Sequence, residues 1–169
     1  MDKRVLESER LLLKPLSYKE LSYISDNDIE RIENLIDPEA IFDFVKIAIS
    51  KKLVKMKNVD EKSHEWYTYW LIIDKSNQKG VGFIGFKGVP DENGFSEVGY
   101  SIASSCRRNG YMTQALSMLI NWAANFENCK GITATKVLKG NIGSNNVLKN
   151  CKFKLISSTS EVNNYILEF

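Results

Sequence analysis

The chain has 169 residues, 43% hydrophobic and 26% charged, the balance of an ordinary folded domain rather than a disordered chain. Lys and Arg total 23 against 21 Asp and Glu, a formal charge of +2; that is too even for a protein that coats nucleic acid, so any anion site has to be built locally. One histidine, His64, and three cysteines, Cys106, Cys129 and Cys151, with no C-x-x-C pair, argue against a zinc site and leave a Ser-His-Asp triad only a histidine expected at the surface.

No apolar run approaches the ~20 residues of a membrane span. The opening Met1–Glu7 lacks the apolar centre of a signal peptide. Sparse, odd-numbered cysteines fit a reducing compartment. A cytoplasmic protein is expected, with no membrane, nucleic-acid or metal partner.

Arg10–Leu16 is a short apolar run closed by Pro15 and reads as the first strand. Ser17 and Glu20 have capping-box spacing and open a short helix through Leu21–Ile24. Asp37-Pro38-Glu39 predicts a second helix start: a cap, a proline at the first helical position, an acid in the first turn. Its apolar stripe is Ile41, Phe44, Val45, Ala48, Ile49, Leu53 and Met56. Lys51, Lys52, Lys55 and Lys57 crowd its C-terminal end, where cations suit the dipole. They read as a solvated helix end, with contact to an acidic partner as the alternative.

Trp66–Ile73 is aromatic and β-branched, which predicts a strand covered on both faces. Val81–Lys87 and Ser96–Ile102 are further strands, set off by turn signals at Ser76–Gly80 and Pro90–Gly94. The period changes at Tyr111. Met112, Ala115, Leu116, Leu119, Ile120, Ala123 and Phe126 form a stripe within a helix over Asn109–Phe126. Gly131–Leu138 is a strand, Ser144–Asn150 a short helix, and Phe153–Ser158 and Tyr165–Phe169 closing strands. Strand, helix and strand from Ser96 to Leu138 form a βαβ crossover, so those strands run parallel. The fold class is α/β (α+β): one domain over 1–169, with flanking helices on a mostly antiparallel sheet of about six to seven strands.

The chemistry concentrates where the strand ending at Ser101, Ile102 and Ala103 enters Arg107-Arg108-Asn109-Gly110 and opens a long helix at Tyr111-Met112-Thr113. The first turn of a helix offers unpaired N–H groups and the positive end of the dipole. Gly110 permits close backbone approach, and the two arginines add charge. A pyrophosphate suits such a loop. Neither G-x-x-x-x-G-K-[ST] nor G-x-G-x-x-G is present, which disfavours a P-loop and a Rossmann site. On these residues alone, a surface turn with two arginines is an equal reading.

Arg107-x-x-Gly110-x-Met112 resembles the [QR]-x-x-G-x-[GA] signature of the GNAT family of acetyl-CoA-dependent N-acetyltransferases. Gly99-Tyr100 and Gly110–Leu116 extend the likeness. Asn141, Ser144, Asn145, Val147, Asn150 and Phe153 resemble the family's second signature. These details, with Glu9–Leu16, most resemble the branch that acetylates the N-termini of ribosomal proteins.

The resemblance implies a GNAT-like domain with a splayed central parallel pair, and roles for particular residues. Backbone N–H groups of Arg108, Asn109, Gly110, Tyr111, Met112 and Thr113 hold the pyrophosphate of acetyl-CoA, with charge from Arg107 and Arg108. Ser101, Ile102 and Ala103 pair with the pantetheine arm as with an added strand. Asn141 touches the cofactor. Glu97 takes the proton of the amine, directly or through water, and an N–H near Ile102 supports the oxyanion. Ser144 lies by the cofactor sulfur. Outside the resemblance, Glu97 is equally an exposed strand acid and Ser144 equally an N-cap.

Leu148 stands where many members carry an acidic tyrosine. Met112, Lys152 and the short connection Thr159–Asn164 also depart from the family pattern. Trp66, Tyr67, Tyr69 and Trp70 belong to the core or line an acceptor cleft. The implied function is transfer of acetyl to a primary amine, on a protein N-terminus or a small molecule, with a homodimer as a family-level expectation. The alternative is a CoA-binding module on the same fold that has lost turnover.

Overall fold

Among the described residues, eight strands build the scaffold: β1 (Leu6–Glu7), β2 (Leu11–Pro15), β3 (Trp70–Asp74), β4 (Lys79–Phe86), β5 (Phe95–Ile102), β6 (Gly131–Leu138), β7 (Lys154–Ser158) and β8 (Val162–Glu168). They form one sheet in the order β1-β2-β3-β4-β5-β6-β8-β7. The computed structural model describes residues 4–32 and 34–169; the reading of the N-terminus falls partly on Met1–Lys3, outside the described residues. The strand beyond expectation is β1, whose two residues pair with Leu12 and Leu13 and are too few to show an alternation.

Neighbouring strands are antiparallel except β5 and β6, which run parallel because the helix α5 (Tyr111–Ala123) carries the crossover between them. On one face, α5 and α6 (Ile142–Asn150) bring Ala115, Leu116, Leu119 and Leu148 against Trp70, Ile72, Ile84 and Phe86. On the other, α1 (Tyr18–Ser25) and α3 (Asp43–Lys57) bring Leu21, Ile24, Val45 and Ile49 against Tyr69, Leu71 and Phe83. Successive residues of one strand thus serve opposite layers. A four-residue helix, α2 (Ile29–Ile32), lies between α1 and α3 in the chain.

The Ser17 capping box is present: Glu20 N–H donates to Ser17 Oγ at 3.1 Å and Ser17 N–H to Glu20 Oε2 at 2.8 Å. The second helix differs from expectation. Asp37 caps a 3-10 turn over Pro38–Ala40, and the chain leaves helical geometry at Ile41 (φ −94°, ψ 77°) before α3 begins at Asp43. The preceding segment is tied to β4: Gly80 N–H donates to Leu35 C=O and Asp37 N–H to Gly80 C=O, each at 2.8 Å. That tie fixes the turn's direction independently of α3. The buried positions of α3 are Val45, Ile49, Lys52 and Met56, while Phe44 is 57% exposed. Lys52 is therefore not part of a solvated helix end.

The strand expected over Trp66–Ile73 starts only at Trp70. A short helix, α4 (His64–Tyr67), precedes it. Trp66 packs on Trp122 and Phe126, with ring centroids 4.7 Å and 5.2 Å away. Its aromatic character served the core rather than a strand. His64 is half-buried and donates from Nε2 to Met56 C=O at 2.8 Å, so it does not stand free at the surface. At the other end of the chain, α6 starts at Ile142 with Asn141 as its cap, and Ser144 N–H donates to Asn141 Oδ1 at 3.0 Å. Ser144 is thus a first-turn residue.

The parallel pairing of β5 and β6 covers Phe95–Glu97 against Gly131–Thr133 and then stops. Beyond it, β6 carries an irregularity between Ala134 and Val137, with Lys136 at φ 55°. Buried Asn145 holds α6 to this strand: its Nδ2 donates to Leu138 C=O at 3.0 Å, and Tyr165 OH donates to its Oδ1 at 2.6 Å.

Candidate active site

The divergence of β6 leaves one edge of β5 uncovered. Lys87 N–H donates to Glu97 C=O at 2.9 Å and Ala103 N–H to Val81 C=O at 2.8 Å. Partners alternate along an antiparallel ladder. Residues 97, 99, 101 and 103 are therefore committed to β4, and Tyr100 and Ile102 turn their main-chain groups to the side that β6 has left. Such groups require partners, so this edge suits an amide-bearing ligand. Ser101 Oγ, buried beside it, has no partner among the described residues. Ala103 stands apart. Its side chain is fully buried, its N–H goes to Val81, and its C=O accepts from Cys106 N–H at 2.9 Å.

The loop into α5 supplies the second component. Gly110 occupies the cap position at φ 73°, ψ 8°, a left-handed conformation, and has no side chain to cap with. The first N–H bonded to the chain there is that of Gln114, to Gly110 C=O at 3.1 Å. The N–H groups of Tyr111, Met112 and Thr113 thus remain at the positive end of the helix dipole. Arg108 is also left-handed, at φ 63°.

Arg10 braces this loop from the start of β2. Its Nη1 donates to Asn109 C=O at 2.8 Å, and its guanidinium lies 4.8 Å from the centre of the Tyr111 ring. Tyr111 OH in turn donates to Asp74 Oδ2 at 3.0 Å. Burial works to raise the Asp74 carboxyl, but hydrogen bonds from the Ser76 hydroxyl and N–H and from Tyr111 hold it below the usual range. Sequence reasoning missed Arg10 and Asp74 as loop supports. Arg10 and Asn109 are 99 positions apart; the likeness over Glu9–Leu16 carries no sign of that contact, and Asp74 lies in no motif.

Edge and helix end meet in a cleft of about 680 Å³, within the range of small-molecule sites. It is lined by Tyr100, Ser101 and Ile102 from β5, by Arg107, Arg108, Gly110, Tyr111, Met112 and Thr113 from the loop and α5, and by Asn141 and Ser144 from the start of α6. Of the anticipated residues, Glu97, Ala103 and Asn109 lie outside it. Tyr100 OH and Ser144 Oγ share a hydrogen bond of 3.0 Å. Burial pushes the Tyr100 hydroxyl up to about 12, with the Ser144 hydrogen bond working against it. Leu148 is fully buried in the core.

Glu97 lies on the opposite face of β5. It pairs with Lys87 Nζ at 2.7 Å and accepts from Thr135 Oγ1 and, at 3.3 Å, from Thr135 N–H. Burial works to raise its carboxyl, but Lys87 and Thr135 hold it below the usual range; it is ionised at neutral pH. Of the four aromatic residues read as core or cleft, Trp66 and Trp70 are core, and Tyr69 lines a smaller cavity on this face. Among the described residues, no three His, Cys, Asp or Glu are grouped to hold a metal ion, and no helix is long and apolar enough to cross a membrane.

Known proteins share this fold. The family model for the acetyltransferase (GNAT) domain matches residues 10–154. The chain is 32% identical over 166 residues, 96% of each protein, to a Bacillus subtilis (strain 168) protein named uncharacterized N-acetyltransferase YjdG. Its fold resembles that of RimL, a ribosomal L7/L12 alpha-N-protein acetyltransferase, with a TM-score of 0.70 and 16% identity over 98% of this chain and 94% of that one. RimL has also been solved in complex with coenzyme A. The microcin C7 self-immunity acetyltransferase MccE, solved with acetyl-CoA and AMP, superposes with a TM-score of 0.63 at 19% identity over 96% and 94%. With the family model spanning most of its length, this chain belongs to the GNAT acetyltransferase family.

Proposed function

We propose that this chain moves the acetyl group of acetyl-CoA to a primary amine by direct attack in a ternary complex. The observation that carries the reading is the meeting, in one cleft, of an uncovered strand edge and an uncapped helix N-terminus. The N–H groups of Tyr111, Met112 and Thr113 receive the pyrophosphate, with Arg107 and Arg108 adding charge at the rim. Tyr100 and Ile102 hydrogen-bond the pantetheine arm as a strand would. The Tyr100 N–H, farther from the pyrophosphate loop than Ile102, then lies at the thioester end of that edge, where it supports the developing oxyanion.

In the reaction a C–N bond forms, the C–S bond breaks, and one proton leaves the nitrogen. A carboxylate as acidic as Glu97 does not deprotonate a resting ammonium, whose pKa lies between about 8 and 10. It accepts the proton, directly or through a water, once bond formation has made the nitrogen positively charged and acidic. On the leaving side, Tyr100 at about 12 is a poor proton donor to a thiolate. With a thiol near ~8.5 the transfer is uphill by roughly 5 kcal/mol. Tyr100 and Ser144 therefore stabilise the thiolate by hydrogen bonding, and water supplies its proton.

A thiol-release assay with acetyl-CoA and a panel of small amines and N-terminal peptides tests this. Acceptor-dependent release is expected. Tight CoA binding with no release across the panel would leave a binding module, and no CoA binding would contradict both readings.

A further inference from the structure

A second cavity of about 250 Å³ lies on the α3 face of β5. It adjoins the cleft: Phe44 lines both, and Gly99, in its wall, precedes Tyr100. Glu97 is two residues away on the same face of the strand. The wall also includes Tyr69 and four lysines, Lys51, Lys52, Lys55 and Lys87.

Among the described residues, Lys51, Lys52 and Lys55 have no counter-charge within salt-bridge distance, and Lys87 is paired with Glu97. Lys52 is 7% exposed, and its Nζ donates to Phe86 C=O at 2.9 Å and Tyr67 C=O at 3.1 Å. The same Nζ sits 4.4 Å from the centre of the Tyr69 ring. Carbonyls and a ring face solvate an ammonium without neutralising it. Lys55 Nζ donates to Lys87 C=O at 2.9 Å. Lys51 makes no hydrogen bond or ion pair among the described residues. Among the described residues, Glu97, already paired with Lys87, is the one carboxylate engaged with the group. Burial, together with the like charges of Lys55 and Lys87, pushes the Lys52 ammonium down to about 7.

An apolar side chain of similar volume would fill the Lys52 position without that penalty. Packing therefore does not account for Lys52, whereas an anion in the cavity, also facing the exposed Lys51 and Lys55, does. The volume holds about eight waters. It admits a small molecule or the first residues of a peptide, not a folded surface.

We propose that this cavity receives the acetyl acceptor, and that the acceptor carries an anionic group, a carboxylate or phosphate, beside its reacting amine. The proposal rests on the acetyl-transfer reading above. The amine faces Glu97 and the thioester past Gly99, and the anion faces Lys51, Lys52 and Lys55.

The test uses acceptors matched except for charge: peptides beginning Ser-Glu-Asp against Ser-Gln-Asn, and 2-aminoethyl phosphate against ethanolamine. In at least one pair the acidic member is expected to have about tenfold higher kcat/KM at low salt, the factor given by about 1.4 kcal/mol. The preference shrinks as salt screens it. Lys51→Gln, at an exposed position, should remove about threefold of the preference, and Lys51→Arg should restore it. A preference confined to the peptides assigns the acceptor to protein N-termini; one confined to the small amines assigns it to free metabolites. Equal kcat/KM within both pairs, or a preference unmoved in Lys51→Gln and in Lys55→Gln, overturns the proposal while leaving acetyl transfer intact. Calorimetric titration of the same ligands into CoA-loaded protein reads the cavity without turnover. Selective binding of the acidic members with no thiol release sustains an anion site and contradicts the transfer reading. Absence of both binding and turnover of the acidic members overturns the proposal.

Discussion

On the proposed reading, the two faces of β5 differ in what does the binding. On the α5 side the working groups are main-chain amides: the edge at Tyr100 and Ile102 and the helix start at Tyr111–Thr113, where Gly110 leaves the first turn uncapped. On the α3 side they are side chains gathered from separate elements: Glu97 from β5, Thr135 from β6, Lys51, Lys52 and Lys55 from α3, and Lys87 just past β4. A main-chain site tolerates changes of side chain but not of backbone conformation, and a side-chain site does the reverse.

The sharpest way to separate the faces is Glu97→Gln. It should lower kcat by about 100-fold, the scale of general-base catalysis, and leave the affinity for acetyl-CoA unchanged by calorimetry. A parallel loss of affinity would mean the faces are not independent. The converse change is Gly110→Val. A β-branched residue at φ 73° costs about 1–2 kcal/mol, so acetyl-CoA affinity should fall roughly tenfold. Arg10→Ala removes a charge-assisted hydrogen bond from the same loop without touching the ligand. The KM for acetyl-CoA should rise by about fivefold, in line with roughly 1 kcal/mol for one such bond, with kcat nearly constant in steady-state assays.

The smallest effect concerns stability on the other face. Lys52 titrates at about 7 in the fold and at about 10.5 when unfolded. Between those values the unfolded chain binds more protons, so this group's contribution to stability rises with pH across the window and is constant below it. Urea unfolding should therefore move in favour of the natural chain, relative to Lys52→Met, by about 1 kcal/mol from pH 7 to pH 8. An unchanged difference would mean that Lys52 is not held as described.

The same contrast decided what could be read from the sequence. The loop from Arg107 to Thr113 leaves a trace because the backbone itself demands residues: a glycine where φ is positive, basic residues before it, a helix after it. The βαβ crossover and the Ser17 capping box are likewise local, and both are present in the fold. The α3 cavity has no such signature. Its lysines read as a solvated helix end because the register of α3 depends on the break at Ile41 and Phe42, which the tie of Leu35 and Asp37 to Gly80 imposes from a distance. Arg10, bonded across 99 positions to Asn109, was hidden for the same reason. Asn141 and Ser144 were found by their family spacing, but which of them caps α6 depended on where the helix begins.

Hydrogen–deuterium exchange with and without CoA addresses the main-chain site most directly. CoA is expected to slow exchange at Tyr100, Ile102 and Tyr111–Thr113, with little change along α3. Binding of CoA that leaves those amides exchanging as before would contradict it.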